Sequence, residues 1–326
     1  MVRFFRTIEP LIHFRKGVVF LISFIVPFYK SKATVRLLYE KLCALSPLLR
    51  GEPLEFVFVE DCGEDGSWEI LQEIAQTDSR VKAIQFSRNF GQHYAITAGL
   101  DLCSGDWAVV MDCDLQDRPE EIPRLYEKAL EGYDVVFSRR GKRMHSFGKK
   151  LASKSFWFAL NWLSGMKLDP EIGSLTVFSR KVVDAYCSMR ESLRCLGGHL
   201  AWLGFSTAYI DVEHAERHSG KSSYSLKKLF SLATNIIVVY SDRPLRFSIN
   251  AGFLMAFLSF CFASLLTYRK LVLGIPVDGW TSIMVSMWFL GGLIIANLGI
   301  IGIYLGKVFD EAKKRPLYVI SKRINV

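Results

Sequence analysis

The segment from Trp107 to Pro119 reads WAVVMDCDLQDRP and combines an apolar run with two closely spaced aspartates. Its first five residues, Trp107–Met111, are apolar and predict a buried strand that runs directly into Asp112 and Asp114. Residues two apart on a strand point to the same side, so both carboxylates are expected together at the carboxyl end of this strand. Paired carboxylate oxygens suit Mg²⁺ or Mn²⁺, which can keep some waters and bridge a diphosphate.

This predicted strand belongs to a series in which short apolar strands alternate with helices. Strands are predicted at Val18–Val26, Leu54–Glu60, Val81–Phe86, Trp107–Met111 and Asp134–Phe137. Helices are predicted near Thr34–Leu45, Ser67–Gln76, Gln92–Cys103 and Pro119–Glu131. The alternation predicts an α/β fold with a doubly wound, mostly parallel sheet. Ligands of such sheets bind at the carboxyl ends of the strands, which is where the two aspartates stand.

A second acidic group follows the second predicted strand, in the stretch FVFVEDCGEDGS at 56–67. A carboxylate at a strand tip can accept hydrogen bonds from a nucleobase or a ribose. We therefore interpret Asp61 as a ligand-binding residue. Asp65 could bind a ligand too, but the run Asp65-Gly66-Ser67 is also typical of a turn that begins a helix.

Two long uncharged segments, Phe247–Tyr268 and Trp280–Gly306, predict membrane-spanning helices, because a bilayer core needs about 20 helical residues. Of the 326 residues 50% are hydrophobic and 22% charged, which excludes a disordered chain and a wholly membrane-embedded one. The residues that flank the two-span region, 246–306, on its predicted inner side are basic: Arg243, Arg246, Lys307, Lys313, Lys314 and Arg315. The positive-inside rule then predicts a plasma (inner) membrane protein with its N-terminal domain, its basic tail at 307–326 and both termini in the cytosol.

The charge balance fits either a phosphate-bearing ligand or an anionic membrane surface, since 41 Lys and Arg against 32 Asp and Glu give a net charge of +9. A basic helix rich in Trp and Phe at about 146–165, and an amphipathic helix within 225–245, predict contact with the membrane interface. Ordinary core helices are the alternative for both. Residues 1–17 form a basic extension, and the apolar run after it could belong to a signal peptide or to a buried first strand.

Several motifs occur in an order that is typical of one enzyme family. They are VFVEDCGEDGSWEIL at 57–71, FSRNFGQHYAITAGLDLCSGDWAVVMDCDLQDRPEEIP at 86–123, GYDVVFSRR at 132–140 and RHSGKSSY at 217–224. An amphipathic stretch and two spans follow the last of them. From about Ser23 to Leu305 the chain resembles glycosyltransferase family 2, and in particular its polyisoprenyl-phosphate glycosyltransferases, which include the dolichol-phosphate mannose synthases and their bacterial relatives.

The resemblance implies a GT-A nucleotide-sugar domain over 18–224 and an inverting transfer. Asp112 and Asp114 match the metal- and diphosphate-binding pair of the family, so Mg²⁺ or Mn²⁺ is the implied cofactor. Asp114 is thereby also expected at the reacting centre, with Gln116 near the donor sugar.

Further positions match residues that bind substrates in the family. Asp61 matches the nucleotide-binding acid, and the backbone near Pro27 would line the base pocket. Arg217 and Lys221 match a basic motif that grips phosphates, and Arg139 is a further phosphate candidate whose alternative is a solvated or lipid-facing arginine. The implied partners are a UDP- or GDP-sugar, an undecaprenyl or dolichyl phosphate and the membrane, with no nucleic acid. A homo-oligomer formed through the spans is left open.

The chain departs from the family pattern in three places. After Pro27 the family usually has Tyr-Asn-Glu, whereas this chain has FYKS at 28–31. Glu60 stands where an Asp is usual, and Cys62 where Gly is common. Ser174 occupies the position that is often assigned to the catalytic base.

The loss of that base bears on the acceptor. An alcohol benefits from a general base, whereas a phosphate monoester is already anionic at neutral pH because its second pKa is about 6. Ser174 therefore favours a lipid-phosphate acceptor over a hydroxyl acceptor. If a base is needed, Asp169 and Glu171 are the nearest candidates.

Three other functions compete with this interpretation. A processive polysaccharide synthase would usually carry a Gln-x-x-Arg-Trp motif, which this sequence lacks. A glycosyltransferase with a hydroxyl or glycolipid acceptor is disfavoured by Ser174. A non-catalytic membrane module that binds nucleotide sugars would explain the altered residues Lys30, Ser31 and Ser174, but it has no need of a metal-diphosphate site.

Overall fold

The computed structural model describes residues 19–140, 147–165, 169, 171–212, 237–238, 241–273 and 279–326. The chain divides into two units. The first comprises Met1–Lys149, Leu168–Ser222 and Pro316–Val326, and the second comprises Lys150–Lys167 and Ser223–Arg315. The first unit therefore holds the predicted α/β domain together with the end of the C-terminal tail.

A mixed sheet forms the centre of the first unit. Its strands are β1 (Ile22–Phe28), β2 (Leu54–Glu60), β3 (Val81–Phe86), β4 (Trp107–Val110), β5 (Val135–Arg140), β6 (Ile172–Ser179), β7 (Thr207–Val212) and β8 (Ile320–Ile324). They lie in the order β7-β5-β6-β4-β1-β2-β3-β8. The pairs β1–β2, β1–β4, β2–β3 and β5–β7 are parallel, whereas β6 runs antiparallel to β4 and β5, and β8 runs antiparallel to β3. The predicted doubly wound, mostly parallel sheet is confirmed.

Helices cover both faces of this sheet. They are α1 (Val35–Cys43), α2 (Ser67–Thr77), α3 (Gln92–Leu102), α4 (Ile122–Leu130), α6 (Arg180–Ser188) and α7 (Leu196–Leu203). A further helix, α5 (Phe147–Ser164), follows β5 in the chain, and most of it belongs to the second unit. Along β1, Phe24 and Val26 pack with residues of α1, α2 and α4, whereas Ile25 packs with residues of α3, α6 and α7. Because both faces are covered, every residue of β1 is buried, which explains why its sequence is continuously apolar.

Helix α3 packs against the sheet at a glycine, Gly99. A Cβ at Gly99 would come within 2.4 Å of Cγ2 of Ile25 on β1, so a larger residue there would push the helix away. The helix begins at Gln92, just after the carboxyl end of β3. Its close packing fixes the start of α3 at the carboxyl edge of the sheet.

The observed strand bounds agree with the sequence prediction for β2 and β3, but not for β1. Strand β1 runs from Ile22 to Phe28 instead of from Val18 to Val26. Proline has no N–H to donate to a neighbouring strand, so it is poorly tolerated where a strand is paired on both sides. At Pro27 this does not arise, because β4 pairs with β1 only as far as Ile25. Pro27 therefore continues the strand, where it lies opposite Val59 of β2.

The sequence predicts no strand beyond Phe137, whereas the described part of the chain contains three further strands: β6, β7 and β8. Strand β8 lies in the tail that was expected to be a simple basic extension at 307–326. It pairs with the edge strand β3, so the chain returns to the sheet after the two apolar helices. The other domain bounds that the sequence suggested remain predictions.

Among its described residues, the second unit contains two helices, α8 (Arg243–Leu273) and α9 (Trp280–Ala312), that are apolar and long enough to cross a membrane. The qualifying stretches are Arg243–Leu266 and Val285–Ala312, each with a mean hydropathy of 2.0 and neither buried. An 18-residue core segment of a soluble protein would be covered by other residues. The two spans predicted from sequence are thus supported as candidate membrane helices.

Helix α5 agrees with the interface helix predicted at about 146–165. In its second half Phe158 is 74% exposed and Trp162 is 58% exposed, while Leu160 is buried. Two large aromatic side chains four residues apart on an exposed helix face are typical of a helix at a membrane surface. The interface role stays a prediction, and most of the second amphipathic helix, at 225–245, lies outside the described residues.

Candidate active site

A cleft with a volume of about 420 Å³ opens at the carboxyl ends of β1, β2, β3 and β4. Its lining comprises Pro27, Phe28, Tyr29, Asp61, Asn89, Gly91, Gln92, Asp112, Cys113 and Asp114. The structure thus brings together four residues that the sequence singled out: Pro27, Asp61, Asp112 and Asp114. Their meeting place is the edge where a sheet of this kind binds its ligands.

The acidic pair reaches this cleft by a different route from the one predicted. Strand β4 ends at Val110, and Asp112 and Asp114 follow it outside the strand, with Asp114 in a turn. Alternation along a strand is therefore the wrong reason for their shared direction. The turn is closed by Gln116, whose N–H donates to Oδ1 of Asp114 at 3.0 Å, and by Leu115, which adopts a left-handed φ of 59°.

Gln92, the first residue of α3, fixes one member of the pair. Its Nε2 donates to Oδ1 of Asp112 at 2.5 Å. Hydrogen bonds of this kind orient the carboxylates that hold metal ions. Gln92 was not predicted from the sequence, where its signal is its position at the start of a helix that follows β3 to the same edge.

Asp61 is 2% exposed and supports a wall of the cleft. Its two carboxylate oxygens accept the backbone N–H of Phe90 at 2.7 Å and that of Gly91 at 2.8 Å. Burial raises the pKa of Asp61, and the neighbouring Glu60 adds to the rise, while the two N–H donors oppose it. The predicted nucleotide-binding acid therefore also holds the loop at 89–91 in place.

Asp65 binds other parts of the protein. Oδ2 accepts the N–H of Lys32 at 2.9 Å, and Oδ1 accepts the N–H and the hydroxyl of Ser67 at 3.1 and 2.6 Å. Burial on its own would raise the pKa of Asp65, but the bonds from Ser67 and Lys32 outweigh it and lower that pKa. Asp65 does not line the cleft. Of the two roles left open by the sequence, this geometry favours the start of α2.

Ser174, which replaces the usual base, contacts a carboxylate that the sequence analysis left unassigned. Its hydroxyl donates to Oδ2 of Asp117, and the N–H of Leu175 donates to the same oxygen at 3.1 Å. Asp117 is 2% exposed and belongs to the DCDLQDRP segment. The two bonds attach the end of the segment 112–117, which begins with the acidic pair, to β6.

Arg139 and the two candidate bases lie near one another. Nη2 of Arg139 is 3.2 Å from Oδ2 of Asp169, and its guanidinium lies 4.8 Å from the centre of the Tyr209 ring. Glu171 is exposed, and its N–H donates to Oδ1 of Asp169 at 2.9 Å. The guanidinium of Arg139 therefore contacts protein groups, Asp169 and Tyr209, and is not surrounded by solvent alone. Arg217 and Lys221 lie outside the described residues.

The departure at Glu60 has a structural explanation. Its Oε1 accepts the N–H of Gly63 at 2.6 Å, and its Oε2 accepts the N–H of Cys62 at 3.2 Å and the amide of Gln85 at 2.9 Å. The longer side chain therefore closes the loop after β2 on itself. Cys62 tolerates a left-handed φ of 52° within that loop.

The cleft has donors that suit a divalent metal ion bound together with phosphate. Asp112 and Asp114 offer hard oxygen ligands. Within the described ranges no group of three or more His, Cys, Asp or Glu side chains comes together as a complete metal site. Mg²⁺ in proteins is commonly held by one or two carboxylates together with waters and substrate phosphates, so a pair of this size is compatible with it.

A helix-covered mixed sheet with an acidic cleft at its carboxyl edge defines an α/β domain with a candidate ligand-binding site. The chain belongs to the family described as Glycosyl transferase family 2, whose sequence model matches residues 23–187. The GT-A fold class and the enzyme class expected from the sequence, a hexosyltransferase, are confirmed with it.

Relatives with similar sequences cover nearly the whole chain. An uncharacterised glycosyltransferase of Bacillus subtilis (strain 168), YkcC, is 36% identical over 93% of this chain and 94% of its own length. The SfII prophage-derived bactoprenol glucosyl transferase of Shigella flexneri is 34% identical over 92% of this chain and 97% of its own. The prophage bactoprenol glucosyl transferase homolog of Escherichia coli (strain K12) is 32% identical over 92% and 98%. The resemblance to polyisoprenyl-phosphate glycosyltransferases is confirmed.

Solved structures match less of the chain. Mannosyl-3-phosphoglycerate synthase from Rubrobacter xylanophilus is 16% identical, with a TM-score of 0.49 over 70% of this chain and 74% of that protein. Glucosyl-3-phosphoglycerate synthase from Mycobacterium tuberculosis, crystallised with Mn²⁺, uridine-diphosphate-glucose and phosphoglyceric acid, is 21% identical, with a TM-score of 0.48 over 67% and 78%.

Proposed function

We propose that this chain transfers a sugar, with inversion at the anomeric carbon, from a nucleoside-diphosphate sugar to a membrane polyprenyl phosphate. The product would be a polyprenyl-phosphate sugar used to modify cell-envelope glycans. The observation that carries the proposal is the cleft in which Asp61, Asp112 and Asp114 meet, in a family 2 chain that continues into two apolar helices. Relatives named bactoprenol glucosyl transferases support the acceptor class.

The cleft residues have separate tasks in this reaction. The nucleotide would lie between Pro27 and Asp61, with its diphosphate towards Asp112 and Asp114. A bound divalent ion would supply positive charge to the oxygens of the leaving diphosphate. Asp112 is oriented by Gln92, so its carboxylate already has its direction before substrates bind, and little reorganisation is needed during the reaction.

The acceptor phosphate would attack from the face opposite the leaving diphosphate. It is anionic at neutral pH, so the attack does not require a residue that removes a proton. The cationic residues Arg217 and Lys221 remain predicted phosphate contacts. Arg139 would have to exchange its partner Asp169 for a phosphate before it could help.

Replacing either candidate base should have little effect on transfer to a phosphate acceptor. We expect Asp169→Asn and Glu171→Gln to retain activity within about tenfold of the parent, whereas loss of a true general base costs roughly a hundredfold or more. The reason is that Asp169 is paired with Arg139 and Glu171 is exposed. Initial rates with polyprenyl phosphate check this. Loss of activity in either variant, at an unchanged melting temperature, would refute a base-free mechanism.

The proposed topology has the catalytic domain and both termini in the cytosol and two spans in the plasma (inner) membrane. Helices α8 and α9 lie between β7 and β8 in the chain, yet both strands belong to one sheet. A chain that leaves a sheet and returns to it must cross the membrane an even number of times. Basic residues before α8 and after α9 support the cytosol as the side of that sheet.

The direct test is a transfer assay with membranes that contain the full chain. They are incubated with undecaprenyl phosphate, Mg²⁺ or Mn²⁺, and a panel of labelled UDP- and GDP-sugars. We expect one sugar to appear in a lipid-extractable product, and EDTA to abolish the signal. Label found only in a polymer or on a hydroxyl-bearing glycolipid, or donor binding without any transfer, would contradict the proposal and favour the corresponding alternative. The same panel identifies the nucleotide.

A further inference from the structure

The C-terminal tail contacts the sheet next to the wall of the cleft. Strand β8 runs antiparallel to β3, with Ile320 opposite Phe86 and Ile324 opposite Ala83. The tail therefore enters the sheet at the carboxyl end of β3 and finishes near the amino end of that strand. The residues after β3, at 87–91, include Asn89 and Gly91 of the cleft lining.

Tyr318 lies just before β8 and begins a chain of contacts that leads to Asp61. Its ring stacks on Phe86, with centroids 5.2 Å apart and planes 17° apart. Phe86 in turn meets the edge of Phe90 at 5.5 Å, and the N–H of Phe90 donates to Asp61 in the cleft. The tail backbone also takes part, because the N–H of Ser87 donates to the carbonyl of Val319 at 3.0 Å.

The hydroxyl of Tyr318 fixes the ring from the other side. It donates to Oδ2 of Asp101 on α3 at 2.7 Å. Burial and the neighbouring Asp101 raise the pKa of Tyr318, so the phenol keeps its proton and remains a donor. Arg190 holds the same carboxylate with two bonds of 2.9 Å. Asp101 is therefore held by Arg190 as well as by Tyr318, and it lies on α3, whose first residue, Gln92, donates to Asp112.

We propose that Tyr318 is a positioning residue for the donor cleft, which it supports through Phe86 and Phe90 so that the 87–91 loop keeps its contacts with Asp61. The inference rests on the proposed function in one respect, namely that the cleft binds the donor. The inference adds that the tail after α9 helps to keep the donor cleft in the shape that binds the donor. Loss of the Tyr318 ring should then loosen the donor site without disturbing the reacting groups.

The other end of the same strand provides a matched control. Nδ2 of Asn325 donates to the carbonyls of Ala75 and Val81, at 2.7 and 2.9 Å. These contacts attach the tail to the end of α2 and the start of β3, away from the 87–91 loop. A tail that merely stabilises the fold would make Asn325 and Tyr318 equivalent, whereas a positioning role would separate them.

The test compares Tyr318→Leu, Tyr318→Phe and Asn325→Ala in the full-length protein in detergent, by steady-state transfer kinetics and melting temperature. We expect Tyr318→Leu to raise the donor KM by about two- to tenfold, the range that loss of one aromatic contact supports, with little change in kcat. Tyr318→Phe keeps the ring and should remain closer to the parent. Asn325→Ala should lower the melting temperature and leave the donor KM unchanged. Equal effects of Tyr318→Leu and Asn325→Ala on KM would overturn the inference.

Amide hydrogen exchange separates this inference from the proposed function. It is measured on the same variants without donor or metal, so it does not depend on the reaction. We expect faster exchange at Phe90 and Gly91 in Tyr318→Leu only. Unchanged exchange there would refute the inference even in an active enzyme, and faster exchange would support it even if no sugar transfer were found. Should Tyr318→Leu fail to fold, the same comparison is made with Tyr318→Met, which also removes the ring that stacks on Phe86.

Discussion

Asp114→Asn should lower the rate of sugar transfer to polyprenyl phosphate by roughly a hundredfold to a thousandfold, the loss typical of removing one group that stabilises developing charge. Asp114 lines the cleft beside Asp112, and its Oδ1 already accepts the N–H of Gln116. An asparagine could keep that bond through its carbonyl oxygen, so the turn should survive. The substitution nevertheless removes a negative charge from the pair that would hold the metal and the leaving diphosphate.

The control for this prediction is Asp184→Asn, which removes the same charge from a distant surface. Asp184 lies on α6 with a side chain that is 67% exposed, and its ion pair with Arg180 is 3.5 Å long and within one helix. An exposed pair of this kind contributes little to stability. Initial rates of lipid labelling, measured over a range of Mn²⁺ concentrations, compare the two variants with the parent. A rate for Asp114→Asn that matches that of Asp184→Asn would remove the acidic pair from the mechanism.

The sequence predicted the position of the acidic pair better than it predicted the reason for it. Strand order and the carboxyl-edge rule were sufficient to bring Asp112, Asp114 and Asp61 together, because parallel strands end at a common edge. Strand alternation failed because β4 stops at Val110, before the pair begins. The direction of the side chains depends on a turn with a left-handed residue, Leu115, which has no sequence signal as clear as a glycine.

The residues that sequence reasoning missed act across long separations in the chain. Gln92 bonds to Asp112 across 20 residues, and Tyr318 bonds to Asp101 across 217 residues. Periodicity and turn chemistry describe residues that are close in the sequence. They therefore cannot predict the Gln92–Asp112 or the Tyr318–Asp101 hydrogen bond. Strand β8 was missed for the same reason, since its sequence, ISKRI, places three polar residues between two isoleucines and shows no strand-like alternation in a basic tail. Pairing with β3 is what makes it a strand.

Asp61→Asn should weaken donor binding by roughly tenfold to a hundredfold, because a small displacement of a binding wall can cost that much. Both oxygens of Asp61 accept backbone N–H groups, from Phe90 and Gly91. An asparagine keeps one oxygen and turns the other into an NH₂, which faces an N–H donor. A buried donor without a partner costs about 1–3 kcal/mol, so the loop at 89–91 should move out of position. Titration of the solubilised protein with the nucleotide diphosphate and Mn²⁺ measures the loss of affinity.

Asp65→Asn is the matched comparison, because it changes the same group in the neighbouring loop. Asp65 accepts the N–H of Lys32 and both donors of Ser67, and it does not line the cleft. The two variants should therefore lose similar amounts of thermal stability, while only Asp61→Asn loses nucleotide affinity. A comparable loss of affinity in Asp65→Asn would show that the second acid is a ligand after all. Unchanged affinity in Asp61→Asn would show that the nucleotide binds away from this wall.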